Sequence, residues 1–310
     1  MKKFRIRTTN HLERKDAMSE GKIIKALSGF YYVLSGESII QCRGRGVFRK
    51  KNVTPLVGDY VVFQSENETD GYIMEVKPRK NELIRPPIAN IDQAILVFSA
   101  ARPDFSSLLL DRFLAVIEAN DITPVICITK MDLLSKEEKE KIDWYIDGYR
   151  SIGYEVFQLS AVTGDGLKQL DPLINGKISV LAGQSGVGKS SLLNSLHPSL
   201  EIKTADISDH LGRGKHTTRH VELLQIGGGL VADTPGFSSL EFPEMEAADL
   251  PFSFPEIQQY GENCKFRGCL HINEPGCIVK LAVESGEIRQ YRYDHYQDFY
   301  YEIKNRKPRY

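Results

Sequence analysis

From Gly183 to Ser190 the chain reads Gly183-Gln184-Ser185-Gly186-Val187-Gly188-Lys189-Ser190, which fits G-x-x-x-x-G-K-[ST] and limits the possible folds more than any other stretch. An apolar, strand-like run, Ile178 to Leu181, comes before it, and Ser190-Ser191-Leu192-Leu193 opens a helix after it. The glycines let backbone N–H groups curl around phosphate oxygens, Lys189 brings a point charge to the outer phosphates, and the Ser190 hydroxyl can ligate magnesium. A second motif, Thr129-Lys130-Met131-Asp132, ends another apolar strand and has the form of a base-reading segment. In the usual order it follows the phosphate loop, whereas here it precedes it. That inversion predicts a circularly permuted α/β nucleotide domain.

The remaining nucleotide signals fit the same plan. Asp233-Thr234-Pro235-Gly236 ends the predicted strand Leu230-Val231-Ala232-Asp233 on a carboxylate, at the edge where open α/β sheets bind ligands. Asp233 would hold magnesium through water, and the Gly236 amide would sense the terminal phosphate. Asp132 can accept two hydrogen bonds from the N1–H and exocyclic amine of guanine; adenine lacks that donor pair, so a buried, unpaired carboxylate would penalise ATP. The Lys130 stem can cover the base. Thr129 stands where many such motifs carry Asn, and its hydroxyl is a weaker substitute for that base contact. Ser160-Ala161 closes the next strand and fits the short motif whose backbone amide meets guanine O6. Between loop and Asp233 lies Leu211-Gly212-Arg213-Gly214-Lys215-His216-Thr217-Thr218-Arg219, a glycine-rich and charged segment read as a mobile loop. One of its threonines, Thr218 or Thr217, should complete the magnesium shell.

Three of the five cysteines crowd beside a histidine as Cys264-x4-Cys269-x-His271-x5-Cys277. Three thiolates and one imidazole make up a closed tetrahedral zinc site, so the metal is expected to be structural and to hold together a module with too small a core of its own. Cys127, within an apolar run, reads as a buried strand residue.

Along the chain, residues 1–20 are polar and expected to be disordered. Short β-rich runs over 21–85 (Lys22 to Leu27, Phe30 to Leu34, Ser38 to Cys42, Gly46 to Arg49, Asp59 to Phe63, Tyr72 to Val76) suggest a small all-β barrel, an OB-fold or an SH3-like one. Residues 86–245 alternate buried strands with helical stretches, and 246–310 form a mostly α, zinc-binding C-terminal domain. A formal net charge of -1 excludes a uniformly basic footprint, so any nucleic-acid contact must be local. Arg43, Arg45, Arg49, Lys50 and Lys51, with Phe48 among them, could track phosphates and stack a base, or form a solvated face. The tyrosines from Tyr291 to Tyr301 read as helix packing, which leaves Lys304, Arg306, Lys307 and Arg309 as a basic tail for RNA. With no apolar run long enough to span a bilayer and no signal-like start, a cytoplasmic location is expected.

Taken jointly, the barrel with Arg49-Lys50-Lys51, the permuted motifs Thr129 to Asp132, Gly183 to Ser190 and Asp233 to Gly236, the Gly212 to Thr218 loop and the Cys264, Cys269, His271, Cys277 spacing resemble the family of ribosome small-subunit-dependent GTPases A (RsgA, YjeQ, YloQ). The resemblance runs from Gly21 over nearly the whole chain. It implies an OB-fold, a circularly permuted GTPase domain and a zinc domain, in a monomer that binds GTP and GDP with magnesium. The implied partners are the 30S subunit and its 16S rRNA, with hydrolysis stimulated by the subunit during late maturation. It also implies a hydrophobic residue after D-x-x-G, which Phe237 matches, and a catalytic switch-loop histidine, which maps onto His216. Lys189 and Gly236 would complete the catalytic set. Thr129 departs from the family's Asn. A nucleotide-dependent RNA-binding module with incidental hydrolysis, or an ATPase of another P-loop class, are the competing readings, and Asp132 argues against the second.

Overall fold

The structure is a computed structural model that describes residues 18–46, 48, 53–65, 67, 70–84, 86–196, 221–233, 242 and 245–306. Strand alternation builds its N-terminal body. In β1 (Met18–Leu27), β2 (Phe30–Ser35), β3 (Ser38–Gly44), β4 (Tyr60–Ser65) and β5 (Asp70–Val76), residues such as Ile23, Val33, Cys42, Phe63 and Ile73 point into a shared core. The strands run in the order β1-β2-β3-β5-β4, and a β1–β4 pairing closes the barrel. Since β3 and β5 are parallel, this is the OB-type arrangement and not the SH3-like one.

Two expectations change here. Gly46 and Phe48, expected in a strand, are helical; they lie in the crossover after β3, where Phe48 turns into the core at 8% exposure and so cannot stack a base. Strand β1 begins at Met18, so Met18, Ser19 and Glu20 pair with Gln64, Phe63 and Val62, although the polar sequence suggested disorder.

A pair of two-residue strands, β6 (Glu82–Leu83) and β7 (Ile88–Ala89), leads from the barrel to the α/β body. That joint is stitched by buried polar groups. Arg79 donates through Nε and Nη2 to the two carboxylate oxygens of Asp59 at 2.7 and 2.8 Å, and Asn90 donates to the Gly58 carbonyl at 3.1 Å. Gly58 has φ +92°, and a Cβ there would lie 2.0 Å from the Ala89 carbonyl oxygen, so only glycine fits.

The α/β body has β8 (Gln93–Ser99), β9 (Thr123–Thr129), β10 (Glu155–Gln158), β11 (Ile178–Ala182) and β13 (Gly229–Asp233) in parallel, joined by an unexpected antiparallel strand, β12 (Glu222–Ile226). Helix α1 (Ser107–Glu118) is capped by the Ser106 side chain. Helix α2 (Lys136–Ile152) starts on a Ser135/Glu138 capping box and ends at Gly153 in the left-handed region. Short α3 (Asp171–Ile174) and α4 (Lys189–Leu196) follow. Sheet order is β10-β9-β8-β11-β13-β12, and β12 then pairs with β1, so a single sheet runs from the α/β body into the barrel. Lys25, Glu222 and Asp233 stand in one row across β1, β12 and β13.

Helices α5 (Pro255–Gly261), α6 (Ile278–Glu284) and α7 (Gln290–Lys304) form the C-terminal body around Phe254, Ile257, Val279, Tyr296 and Phe299. It packs on Ala115 and Val116 of α1. As expected, Tyr293, Tyr296 and Tyr300 are buried packing residues and Tyr291 is half-buried, but Tyr301, read the same way, is exposed.

Candidate functional site

The strands β8, β9, β11 and β13 end on one edge, and that edge carries the nucleotide motifs. Leaving β11, the loop turns at Gly183, where φ is +143° and a Cβ would sit 2.1 Å from the Val97 carbonyl oxygen; Gly186 and Gly188 also adopt positive φ. Gln184 is half-buried and Ser185 exposed, Val187 packs into the core, and Ser190 and the half-buried Ser191 open α4. The Lys189 ammonium donates to the Gly183 and Gln184 carbonyls at 2.7 and 2.6 Å. Burial pushes its pKa down to about 8.

The base motif clasps this loop from β9. Thr129 Oγ1 lies 2.5 Å from the Val187 carbonyl, and Lys130, at φ 59°, donates from Nζ to the Gly186 carbonyl at 2.7 Å and to the Arg102 carbonyl. Met131 and Asp132 follow in a 3-10 turn, with Asp132 exposed and the Met131 amide directed at the Leu159 carbonyl at 3.4 Å. Ser160 is buried, accepts from the Thr163 amide at 3.1 Å and shapes the turn that leaves Ala161 exposed. The fold thus gathers Thr129 to Asp132, Ser160-Ala161 and Gly183 to Ser191 on one edge. Asp233 ends β13 on the same edge, with its side chain outside the described residues. His216, Thr217, Thr218, Gly236 and Phe237 also lie outside them. Sequence reading missed the β8–α1 turn, whose Arg102 carbonyl anchors Lys130; the Ser99-Ala100 end of an apolar strand was its signal.

In the C-terminal body the donor atoms of Cys264, Cys269, His271 and Cys277 all lie within 4.8 Å of one another. Cys264 Sγ is 3.9 Å from Cys277 Sγ, and His271 Nδ1 is 3.3 and 3.7 Å from the Cys277 and Cys264 sulfurs. These spacings match the edges of a tetrahedron with metal–sulfur bonds of about 2.3 Å, so the four residues could hold a metal ion. Burial pushes the Cys269 thiol up to about 12 and lowers His271, which favours neutral donors until a cation enters. The ligand loop is braced around the site. Tyr293 and Tyr296 donate to the His271 and Leu270 carbonyls at 2.6 Å, and a Cβ at Gly261 would lie 3.0 Å from the His271 ring, so glycine there gives the ring room. Burial alone would raise the Glu274 carboxyl, but the amides of Leu270, Ile272 and Asn273 donate to it and hold it below the usual range.

The basic segments divide. Arg306 donates to the Phe242 and Met245 carbonyls, and both Lys304 and Arg306 remain exposed; Lys307 and Arg309 lie outside the described residues. On the barrel, Arg49, Lys50 and Lys51 are likewise outside them, while Arg43 and Arg45 are exposed. Pairing aligns Phe30, Arg43 and Tyr72 in one row across β2, β3 and β5, with the Arg43 guanidinium 4.9 Å from the Phe30 ring centre and Tyr72 40% exposed. The ring available for stacking is therefore on the strands and not at Phe48. Among the described residues no helix is long and apolar enough to cross a membrane.

Comparison with known proteins matches residues 76–243 to the RsgA GTPase family model and residues 20–73 to the RsgA N-terminal domain. The small ribosomal subunit biogenesis GTPase RsgA of Geobacillus kaustophilus (strain HTA426) is 67% identical over 293 residues, covering 94% of this chain and 100% of the relative. That of Bacillus subtilis (strain 168) is 62% identical over 298 residues with the same coverage. Among solved structures, YloQ, described as a circularly permuted GTPase, aligns with TM-score 0.83 at 56% identity over 97% of this chain and 100% of its own. YjeQ from Thermotoga maritima aligns with TM-score 0.84 at 38% identity over 94% of this chain and 100% of its own. The matches cover barrel and nucleotide domain alike, and the inverted motif order is explained by descent: the chain belongs to the RsgA GTPase family, with a circularly permuted GTPase domain at its centre.

Proposed function

We propose that this protein is a cytoplasmic GTPase that binds the small ribosomal subunit as a monomer and hydrolyses GTP, stimulated by that subunit, during late 30S maturation. The observation that carries the reading is the clasp of Thr129 and Lys130 on the phosphate loop, which brings a guanine-reading carboxylate and a phosphate cradle to one sheet edge. Asp132 selects guanine, the Ala161 amide meets O6, and the Lys130 stem covers the base. The backbone of Gly183 to Gly188, with Lys189, receives the phosphates. Ser190, one of Thr217 and Thr218, and Asp233 through water would hold magnesium, which offsets charge developing on the transferred phosphoryl group. His216 orients the attacking water, and the Gly236 amide meets the terminal phosphate.

We assign zinc to the Cys264, Cys269, His271, Cys277 cluster, because three thiolates and an imidazole with no fourth open position suit a closed structural zinc site. The Phe30, Arg43, Tyr72 row is the contact we assign to 16S rRNA, an arginine between two rings being suited to a phosphate flanked by stacked bases.

GTP turnover with and without purified 30S subunits tests the reading. Strong stimulation by subunits is expected, and a rate indifferent to them would overturn it. His216→Ala should abolish the stimulated rate while leaving GTP binding within about twofold.

A further inference from the structure

We propose that Thr129 does not read the base: it is a positioning residue whose hydroxyl fastens the phosphate loop to β9, leaving base recognition to Asp132. The inference rests on the reading of this edge as a guanine-nucleotide site. Thr129 is buried at 7% exposure, and its Oγ1 faces two backbone carbonyls, Val187 at 2.5 Å and Phe98 at 3.2 Å. A hydroxyl has one proton to donate. Both carbonyls are acceptors, so the proton is committed between them, and the nearer is Val187 in the phosphate loop. An acceptor on a purine, such as N7, could be served by Thr129 only with that same proton.

The next residue repeats the arrangement. Lys130 takes a left-handed φ of 59°, which turns the chain so that Nζ reaches the Gly186 carbonyl at 2.7 Å. Successive residues at the end of β9 thus hold successive carbonyls of the loop. Space is matched as well: a Cβ at Gly188 would lie 3.8 Å from Thr129 Oγ1, so the threonine packs directly against the loop backbone. Asp132 lies in the turn that follows, so the carboxylate meeting the base and the loop meeting the phosphates are mounted on the same rigid strand end. Thr129 therefore serves the phosphate loop, and the usual asparagine's contact with the base is absent from this site.

The test uses the full-length protein, calorimetric titration and three nucleotides: GTP, GDP and 7-deaza-GTP, in which a C–H replaces N7 while N1–H, O6 and the amine remain. Wild type should bind GTP and 7-deaza-GTP within about twofold. Thr129→Val should weaken GTP, GDP and 7-deaza-GTP alike by about tenfold, the loss of one hydrogen bond, and Thr129→Ser should recover to within about threefold of wild type. A wild-type deficit for 7-deaza-GTP that disappears in Thr129→Val would mean the hydroxyl reads N7 and would overturn the proposal. So would a Thr129→Val protein that binds like wild type, or a loss that Thr129→Ser fails to rescue, since either makes the hydroxyl idle. Should Thr129→Val not fold, the wild-type comparison of GTP with 7-deaza-GTP and the Thr129→Ser titration still decide. Failure of wild type to bind any guanine nucleotide would instead sink the site assignment on which the inference rests.

Discussion

Arg292 on α7 lies 2.6 Å from Asp111 on α1, and the two are 1% and 0% exposed although 181 residues separate them. Arg292 also donates to both oxygens of Glu256 on α5, at 2.6 and 3.2 Å. Asp111 further accepts from Tyr149 at 2.7 Å and meets His295 Nδ1 at 2.6 Å. This cluster bolts the C-terminal body to helices α1 and α2. Removing one partner strands a buried charge, so Arg292→Ala should lower stability by about 3–5 kcal/mol, seen as an earlier urea midpoint at unchanged slope. Joint replacement of Arg292, Asp111 and Glu256 by Met, Leu and Met, with Tyr149→Phe so that no buried hydroxyl loses its acceptor, should recover most of that loss. A wild-type midpoint for Arg292→Ala would refute the buried-charge account.

Lys189 gives a pH signature. Its pKa in the free protein is pushed down to about 8 by burial, and phosphates favour the charged form. Below that pH the ammonium is already present, and binding requires no proton. Above it the amine is neutral, binding must take a proton up, and affinity falls as pH rises. Calorimetry in buffers of different ionisation heat should detect almost no uptake at pH 7 and uptake rising toward about one proton at pH 9. No change across that window would contradict the shift.

The guanine-reading role assigned to Asp132 predicts an exchange of base preference. Replacing its second acceptor by an amide donor fits xanthine, which carries a carbonyl where guanine has its amine. Asp132→Asn should therefore lose GTP affinity by about a hundredfold or more and gain XTP. Equal loss of both nucleotides would mean that the exposed Asp132 supports the turn without touching the base.

The metal cluster predicts a proton count. Because burial holds Cys269 and Cys277 protonated in the absence of a cation, zinc loading should release protons and become tighter as pH rises. Stripping the ion with a chelator should weaken the near-ultraviolet circular dichroism of the stacked Tyr293 and Tyr296, whose hydroxyls brace the ligand loop. Cys277→Ser should reproduce that loss without chelator. An unchanged aromatic spectrum would separate the metal from the fold of this body.

On the barrel, Tyr72→Ala should weaken 30S binding by about tenfold with the salt dependence kept, whereas Arg43→Gln should reduce the salt slope by about one. If Phe48→Leu proves the more damaging to binding than Tyr72→Ala at equal stability, the assigned row is wrong.

What the chain's sequence determined by itself is local. The glycine pattern from Gly183 to Lys189 needs only a strand, a turn and a helix, and the Cys264 to Cys277 spacing needs only a short loop, so chemistry and backbone constraint are both written within a few residues. Alternating apolar residues made the barrel strands legible, and unbroken apolar runs the parallel ones, for the same reason. The tertiary structure decided what depends on distant partners. Phe48 looks like a surface ring between basic residues until the crossover turns it inward, and β12 becomes a strand only between β13 and β1. Arg292 looks like an ordinary helix-surface cation until Asp111 and Glu256 enclose it. Thr129 has one proton wherever it stands; that the proton goes to Val187 was decided by the approach of a loop 58 residues away.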